Sequence, residues 1–538
     1  MIIFRVVKNI FFKTKLYDYY LSKNSIEEIS FTPKDIWPGD PILGDQIVQG
    51  YYNLANKKIY SPEETLWQIS NTNTFWQSEA HSFSWLRHLK ARSGILARKH
   101  ARLLILDWLK LYKNYNNKTW ELEVLSRRVS AWITNFDFLL AEKDKNFSDI
   151  LLKNLFKQIK FLRNQISKSY FSFLEKKYGL EESSIKKIKI LRALILSSMC
   201  FESQLLRFSH YIKILELELK TNYNIDGMHE SKSPSTQLEI LGDLVTIREA
   251  IVSKQLKSPD FLETIIKKGA HSLKFFRTPA GTLAIFNGSK QETKFLIDKI
   301  INQADGQPRG RGPISLSKSG FEKIVCNGII LFVDTYDNSD KNCSNAPHAI
   351  EINLGKNRFL GSCGTIHKKN KSWRESLLSA AAHSSLILEN TNPNRNNGSD
   401  TFAFSKRYQK DGSEIVFLRH EGYKNKFTAT CSRTIEVNRT GKNIAILEEI
   451  QAFKLLKFDI RIHLNPKVKV SLSLDKNKAL LILDGQGWDF SFQGNVKLLL
   501  EPSIFVEDNG KVKQTNQLIL HGETLEEKTE VLWGFTKN

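Results

Sequence analysis

The apolar residues of this chain change their spacing part-way along, and that change limits the fold more than any other feature. Up to about residue 290 they recur at three- and four-residue intervals, as in helices that bury one face. Ala101–Tyr115 (ARLLILDWLKLYKNY) shows the pattern, as do Trp120–Phe138, Ile150–Leu174, Ser184–Phe208 and Leu238–Val252. Short connectors such as Asn116–Lys118 and Leu180–Ser183 separate them. Many helices with short connectors build a bundle, a solenoid or a toroid, and spacing alone does not choose among these. Asp305–Pro313 (DGQPRGRGP) is a Gly/Pro/Arg-rich break. Beyond it come short β-rich runs, among them Gly328–Asp334, Ala349–Leu354, Arg358–Ser362, Ser385–Leu388, Glu414–Leu418, Thr428–Val437, Asn443–Leu447, Lys467–Leu474 and Ala479–Leu483. Turn pairs such as Asn327-Gly328, Asp411-Gly412 and Asp484-Gly485 punctuate them. This is the pattern of an antiparallel sandwich or stacked-sheet domain. The expectation is an α+β multidomain chain: helical over 1–300, a linker at 301–313, and antiparallel β over 314–538.

At 538 residues the chain is too long for one core. Lys and Arg number 79 against 57 Asp and Glu, a formal net charge of +22. That balance favours a polyanionic partner: nucleic acid, anionic lipid or acidic polysaccharide. A Lys-, Asn- and Ile-rich composition from an AT-biased genome gives the same total. Five cysteines, at 200, 326, 343, 363 and 431, form no CxxC pair. Neither a disulfide framework nor a zinc finger is expected, and a reducing compartment is the simplest reading. No apolar run is long enough to span a bilayer. The N-terminal stretch MIIFRVVKNIFFKTKLYDYYL is interrupted by Arg5, Lys8, Lys13 and Lys15. It reads as a basic amphipathic helix rather than a cleaved signal.

Three constellations could carry chemistry. Trp37-Pro38-Gly39-Asp40-Pro41 precedes His81-Ser82-Phe83-Ser84-Trp85-Leu86-Arg87. Trp85 suits sugar stacking and Arg87 suits carboxylate pairing, or the two are core and ion-pair residues. The loop Asn224–Pro234 (NIDGMHESKSP) presents His229, Glu230 and Lys232 just before a helix beginning near Ser233-Pro234. His229 there is a candidate general base or carboxylate ligand. In the β half, His348, Ser362-Cys363 and His383 could form a base pair or a metal site, or be satisfied core histidines. His420-Glu421-Gly422-Tyr423, Arg433 and Arg461-Ile462-His463 follow. No Walker loop, dinucleotide fingerprint, GxSxG or HExxH stands in a suitable context.

Taken in order, WPGDP at 37–41, HSFSWLRHL at 81–89, DGMHESKSPSTQLEIL at 226–241, LKFFRTPAGTLAIFNG at 273–288, AAHSSLIL at 381–388, HEGY at 420–423 and RIHLNP at 461–466 resemble the heparinase II/III-like family, in its alphaproteobacterial branch. The resemblance runs from about Trp37 to Trp533. It implies an N-terminal (α/α) toroid followed by a C-terminal antiparallel β-sandwich, and lyase chemistry on uronic-acid-containing polysaccharides. In that chemistry a base removes the C5 proton of a uronate whose carboxylate charge is neutralised, and an acid protonates the leaving oxygen at C4.

The resemblance implies His229 and His383 as acid/base candidates. It implies Arg87, Lys232, Trp85, His420 and Tyr423 as substrate contacts, and acidic polysaccharide rather than nucleic acid as partner. No cofactor is required, although a structural divalent metal such as zinc would draw on His348 and His383. The sequence departs from the family where the chemistry sits. In the E-x-S-P-x-Y-H stretch, Ser231 stands at the Glu position, Thr236 at the Tyr position and Gln237 at the His position. The first histidine of an H-x-H pair is Ala346, leaving His348, and Ser362 stands where an aspartate would complete the zinc set. The alternative is therefore a catalytically altered glycan-binding protein on a lyase scaffold. The family resemblance points to the periplasm, and the absence of a clear signal peptide points to the cytoplasm.

Overall fold

A computed structural model of the chain describes residues 2–23, 27–55, 57–63, 65–69, 72–142, 144–166, 183–307, 310–335, 343–365, 371–394, 403–525 and 527–538. Contacts divide it into two units. One comprises Met1–Asn222 with Ile240–Ile266, the other Tyr223–Glu239 with Lys267–Asn538.

The first unit is helical, as the three- and four-residue spacing predicts. Its longer helices are Gly94–Tyr112, Leu122–Thr134, Lys145–Ile166, Ser184–Cys200 and Phe208–Asn222. The helix expected to reach Leu174 is described as far as Ile166, and the rest of that expectation lies outside the described residues. Ser184–Cys200 is buried on nearly every face from Ile188 onward, as a helix surrounded by others must be. Two expected helices end early. Trp120–Phe138 breaks at Asn135, whose side-chain amide donates to the Ala131 carbonyl at 2.7 Å. Ser184–Phe208 breaks at Phe201, which is extended. At the first break apolar periodicity runs on because the short helix Phe136–Leu139 also buries a face; at the second, Glu202–Leu205 buries none, and the apolar pattern resumes only in helix Phe208–Asn222.

Two antiparallel sheets build the second unit. Among the described residues one runs in the order 469–472, 478–483, 486–493, 527–537, 443–452, 429–438, 413–423, 403–410. The other runs 496–506, 512–523, 457–464, 357–361, 350–354, 329–334, 321–326, 315–316, with 386–388 also paired to 457–464. In the first sheet burial alternates, and one inward row sets Ile435 opposite Ile446 and Ile446 opposite Trp533. The second sheet has strands buried on both faces, Ile350–Leu354 throughout. In that strand Glu351 accepts from Asn353 at 3.1 Å and meets Arg358 of the neighbouring strand at 3.1 Å.

The boundary differs from the one read off the sequence. Helix Lys294–Asp305 runs into the expected linker and buries Ile297, Ile300, Ile301 and Ala304. The loop after Asn222 joins the β-rich unit because Asp226 accepts from the backbone N–H groups of Lys318 (2.8 Å) and Ser319 (2.9 Å). Spacing reads each local element and is blind to such distant contacts.

An ion pair sits inside the sandwich. Arg433 donates through Nε to Glu448 at 2.8 Å, and Glu448 also accepts from Trp533 Nε1 at 3.2 Å. The far side of the guanidinium bonds the carbonyls of His348 and, at 3.4 Å, Ser384. Glu448→Ala would strand this cation, and is expected to cost about 3–5 kcal/mol in urea unfolding. An Arg433→Met/Glu448→Leu double variant should lose clearly less, since no charge is then left buried alone.

Candidate functional site

The loop 223–233 is held from within and from below. Asn224 Oδ1 accepts from the N–H groups of Asp226 (3.1 Å) and Met228 (3.2 Å). Gly227 has φ +81, and a Cβ there would come within 2.5 Å of the Lys268 backbone, so this turn requires glycine. His229, only 1% exposed, accepts the Ser231 N–H at Nδ1 (3.1 Å). That bond makes Nδ1 an acceptor and assigns the ring proton to Nε2. Its ring edge meets Tyr223 at 5.5 Å between centroids.

Gln237 holds this loop in place. It is 0% exposed, its Oε1 accepts the His229 N–H (3.0 Å), and its Nε2 donates to the Gly227 carbonyl (2.9 Å). Lys232 takes a left-handed backbone, φ +49, and its carbonyl accepts from Asn287 Nδ2 at 3.0 Å. Asn287 Oδ1 in turn accepts the Ser344 N–H (2.8 Å) and hydroxyl (3.1 Å). The Cys343 thiol donates to the Ser231 carbonyl at 3.4 Å. The stretches 226–241, 273–288 and 343–348 thus meet at Asn287, with the Cys343–Ser231 bond beside it.

His383 is 4% exposed, and its Nδ1 lies 2.9 Å from the Ser379 carbonyl. A carbonyl only accepts, so Nδ1 carries the proton and Nε2 is the basic atom. His463 donates from Nε2 to the Ala381 carbonyl (2.9 Å) and accepts the Ser503 hydroxyl at Nδ1 (2.8 Å). Burial holds its pKa down at about 3.

His348 is buried with its ring edge-on to His420, 4.7 Å between centroids. Burial first, then His420 and Arg433, push its pKa well below the ordinary histidine value. His420 Nδ1 accepts the Gly422 N–H at 3.1 Å, and burial brings its pKa to about 3. Tyr423 is core: its hydroxyl donates to Thr391 (3.1 Å) and accepts from the Leu388 N–H (3.3 Å). His420 and Tyr423 are therefore not surface contacts for a sugar, because both are buried among protein partners.

These residues do not suit zinc, which takes four donors in a structural site. Among the described residues, no group of three or more His, Cys, Asp or Glu could hold a metal. His348 turns to His420 and His383 to Ser379, while Ser362 supplies a hydroxyl in place of a carboxylate.

Trp85 and Arg87 belong to the helical unit. Trp85 is buried, donates from Nε1 to Ala80 (2.9 Å) and packs on Phe83, so the expected sugar platform is a core residue. Arg87 donates from Nε to Ser84 (2.8 Å), lies over Trp37 and faces Asp35 at 3.8 Å. Arg192 meets the same Asp35 (3.6 Å) and Asp243 (2.9 Å). Two cations and two carboxylates balance there, so Arg87 already has an anion. The WPGDP turn is packing chemistry too. Asp40 caps helix Pro41–Val48, its N–H donates to His88 Nδ1 (3.0 Å), and a Cβ on Gly39 would strike the Arg87 carbonyl at 2.2 Å.

Residues 308–534 match the family model described as "Heparinase II/III-like, C-terminal". That match covers the β-rich part of the chain and makes it similar to the C-terminal domain of heparinase II/III-like proteins. Over 97% of this chain and 88% of its own, the crystal structure of heparinase III superposes with a TM-score of 0.77 at 13% identity. The heparan sulfate lyase HepC of Pedobacter heparinus gives 0.62 at 14% identity over the same shares. Chondroitinase AC lyase gives 0.52 at 9% identity over 92% of this chain and 80% of its own. The fold is thus an (α/α) toroid followed by an antiparallel β-sandwich. In sequence, the FtsZ-localized protein C of Caulobacter vibrioides is 23% identical over 95% of this chain and 90% of its own length.

Local pattern by itself gives Gln237 and Asn287 no functional role. The signal for Gln237 was its departure from the heparinase II/III-like pattern; for Asn287 it was the Asn-Gly pair ending LAIFNG.

The buried histidines give a pH prediction. Burial holds His81 and His463 near 3, His420 near 3 and His88 near 4. Their folded values lie below the unfolded one, so the unfolded chain binds more protons below about pH 6.5. The stability they contribute is full above that pH and is lost as the pH falls toward the folded values. The thermal midpoint should drop between pH 7 and pH 5, before most carboxylates titrate, as each such histidine removes about 2 kcal/mol of stability at pH 5. In scanning calorimetry, His463→Gln should flatten this dependence.

Proposed function

We propose that this heparinase II/III-like protein holds an acidic, uronate-containing polysaccharide on a lyase scaffold without completing β-elimination. The observation that carries this reading is at Thr236 and Gln237. Where the resemblance sets a tyrosine, Thr236 has no phenol to exchange a proton. Where it sets a histidine, Gln237 is wholly buried and committed to the His229 N–H and the Gly227 carbonyl. A residue bound on both sides to backbone is a brace, not a proton carrier. Lys232 is itself buried, at 7% exposed, so the candidates for the carboxylates are the exposed cations of a +22 chain.

A second reading is elimination by His229 and His383. Its support is the ring protonation: His229 carries its proton on Nε2 and His383 has its basic atom at Nε2, and a bound sugar would have to uncover both rings, which are 1% and 4% exposed. His383 would take the C5 proton and His229 would protonate the C4 oxygen, with no metal or water consumed.

The folded protein incubated with heparin, heparan sulfate, alginate and hyaluronan should produce no unsaturated-uronate absorbance. On a glycan array it should retain an acidic polysaccharide, more weakly as salt rises. An absorbance increase abolished by both His229→Ala and His383→Ala would establish elimination instead. Retention of no acidic glycan would defeat both readings.

The five buried, unbridged thiols support a reducing compartment. The name of FtsZ-localized protein C suggests where such a chain acts, and we propose the same location here.

A further inference from the structure

The N-terminal segment carries a surface that the glycan reading does not use. Helix Ile2–Phe12 and helix Lys15–Ser22 follow one another closely. Their inward side is anchored: Phe12 packs on Tyr17 (5.1 Å), Tyr115 (5.2 Å) and Phe161 (5.1 Å), and Leu21 is buried. Tyr115 also donates to Asn9 at 3.0 Å. This anchoring turns the other face outward. Val7, Ile10 and Phe11 stand at i, i+3, i+4 on the first helix, and Leu16, Tyr19 and Tyr20 repeat that spacing on the second. All six are exposed, Ile10 to 61%, Leu16 to 76% and Tyr19 to 66%. Single exposed apolar residues are ordinary, but two successive helical triplets make a surface.

The charge around this surface has one sign. Lys13 and Lys15 are exposed at the corner between the helices, and Lys23 is exposed after them. The one acidic residue in 1–23, Asp18, is paired with Lys157. Lys160 lies over the Tyr20 ring at 4.0 Å and donates to the Tyr20 carbonyl. Desolvation, together with the charges of Arg163 and Lys23, lowers its pKa. Cations are thus crowded beside the apolar triplets, a crowding that a negative surface would relieve.

We propose that this face is an interfacial docking site for an anionic lipid bilayer. Ile10, Phe11 and Leu16 enter the acyl boundary, Tyr19 and Tyr20 lie at headgroup depth, and Lys13, Lys15 and Lys23 meet the lipid phosphates. No helix among the described residues is long and apolar enough to cross a membrane, so the association is peripheral.

Flotation of the full chain with vesicles tests this. The protein should float with phosphatidylcholine vesicles containing phosphatidylglycerol, and much less with phosphatidylcholine alone or at high salt. Leu16→Asp should weaken binding about tenfold or more. Lys13→Gln/Lys15→Gln should weaken it about fivefold per lysine, and this exposed pair decides the matter if Leu16→Asp does not fold. Equal binding to neutral vesicles, or none to anionic ones, would overturn the proposal. So would a concentration-dependent dimer, without vesicle binding, that Leu16→Asp dissociates: the face would then be a contact between copies.

Discussion

The buried pair of Arg433 and Glu448 organises the β-sandwich around it. Desolvating a guanidinium is costly, so every donor on it needs an acceptor. One edge is met by Glu448, and another by the carbonyls of His348 and Ser384. Those carbonyls belong to the two irregular stretches that carry His348 and His383. A charge inside the sheet therefore fixes the backbone of segments that have no regular ladder of their own. The same cation keeps its neighbours neutral: it is among the causes that lower the pKa of both His348 and His420.

A similar economy governs the 223–239 loop. Its polar side chains are turned inward onto backbone, through Asn224, Asp226 and Gln237, and Asn287 links it to Ser344. In a lyase some of these positions handle protons. Here Gln237 holds geometry instead, and His229 is left with a defined tautomer in a nearly closed environment.

Much of the architecture was legible from residue spacing. The shift from helical to strand periodicity placed helices before strands, and the ordered motifs gave the resemblance that the family model over 308–534 also finds. Trp85, Arg87, His420 and Tyr423 were less well served. Tryptophan, arginine, histidine and tyrosine have the same composition whether they face a sugar or a core. The Ala80 carbonyl, Asp35, the Gly422 N–H and the Thr391 carbonyl occupy these side chains, and none of those partners is visible from local pattern. The zinc expectation failed to gain support for a related reason: a metal needs several donors converging on one point, and sequence order says nothing about convergence.

What the sequence determined by itself is what depends on neighbours along the chain: which segments are helical, which are extended, where turns fall, and that the N-terminal stretch is basic and amphipathic. Only the tertiary structure decided which polar groups remain available for chemistry. Burial and hydrogen bonding act between residues far apart in sequence, as between His229 and Gln237, Lys232 and Asn287, or Arg433 and His348. A side chain already satisfied by such a partner loses its function as acid, base or ligand, and that loss leaves no mark on the residue's identity.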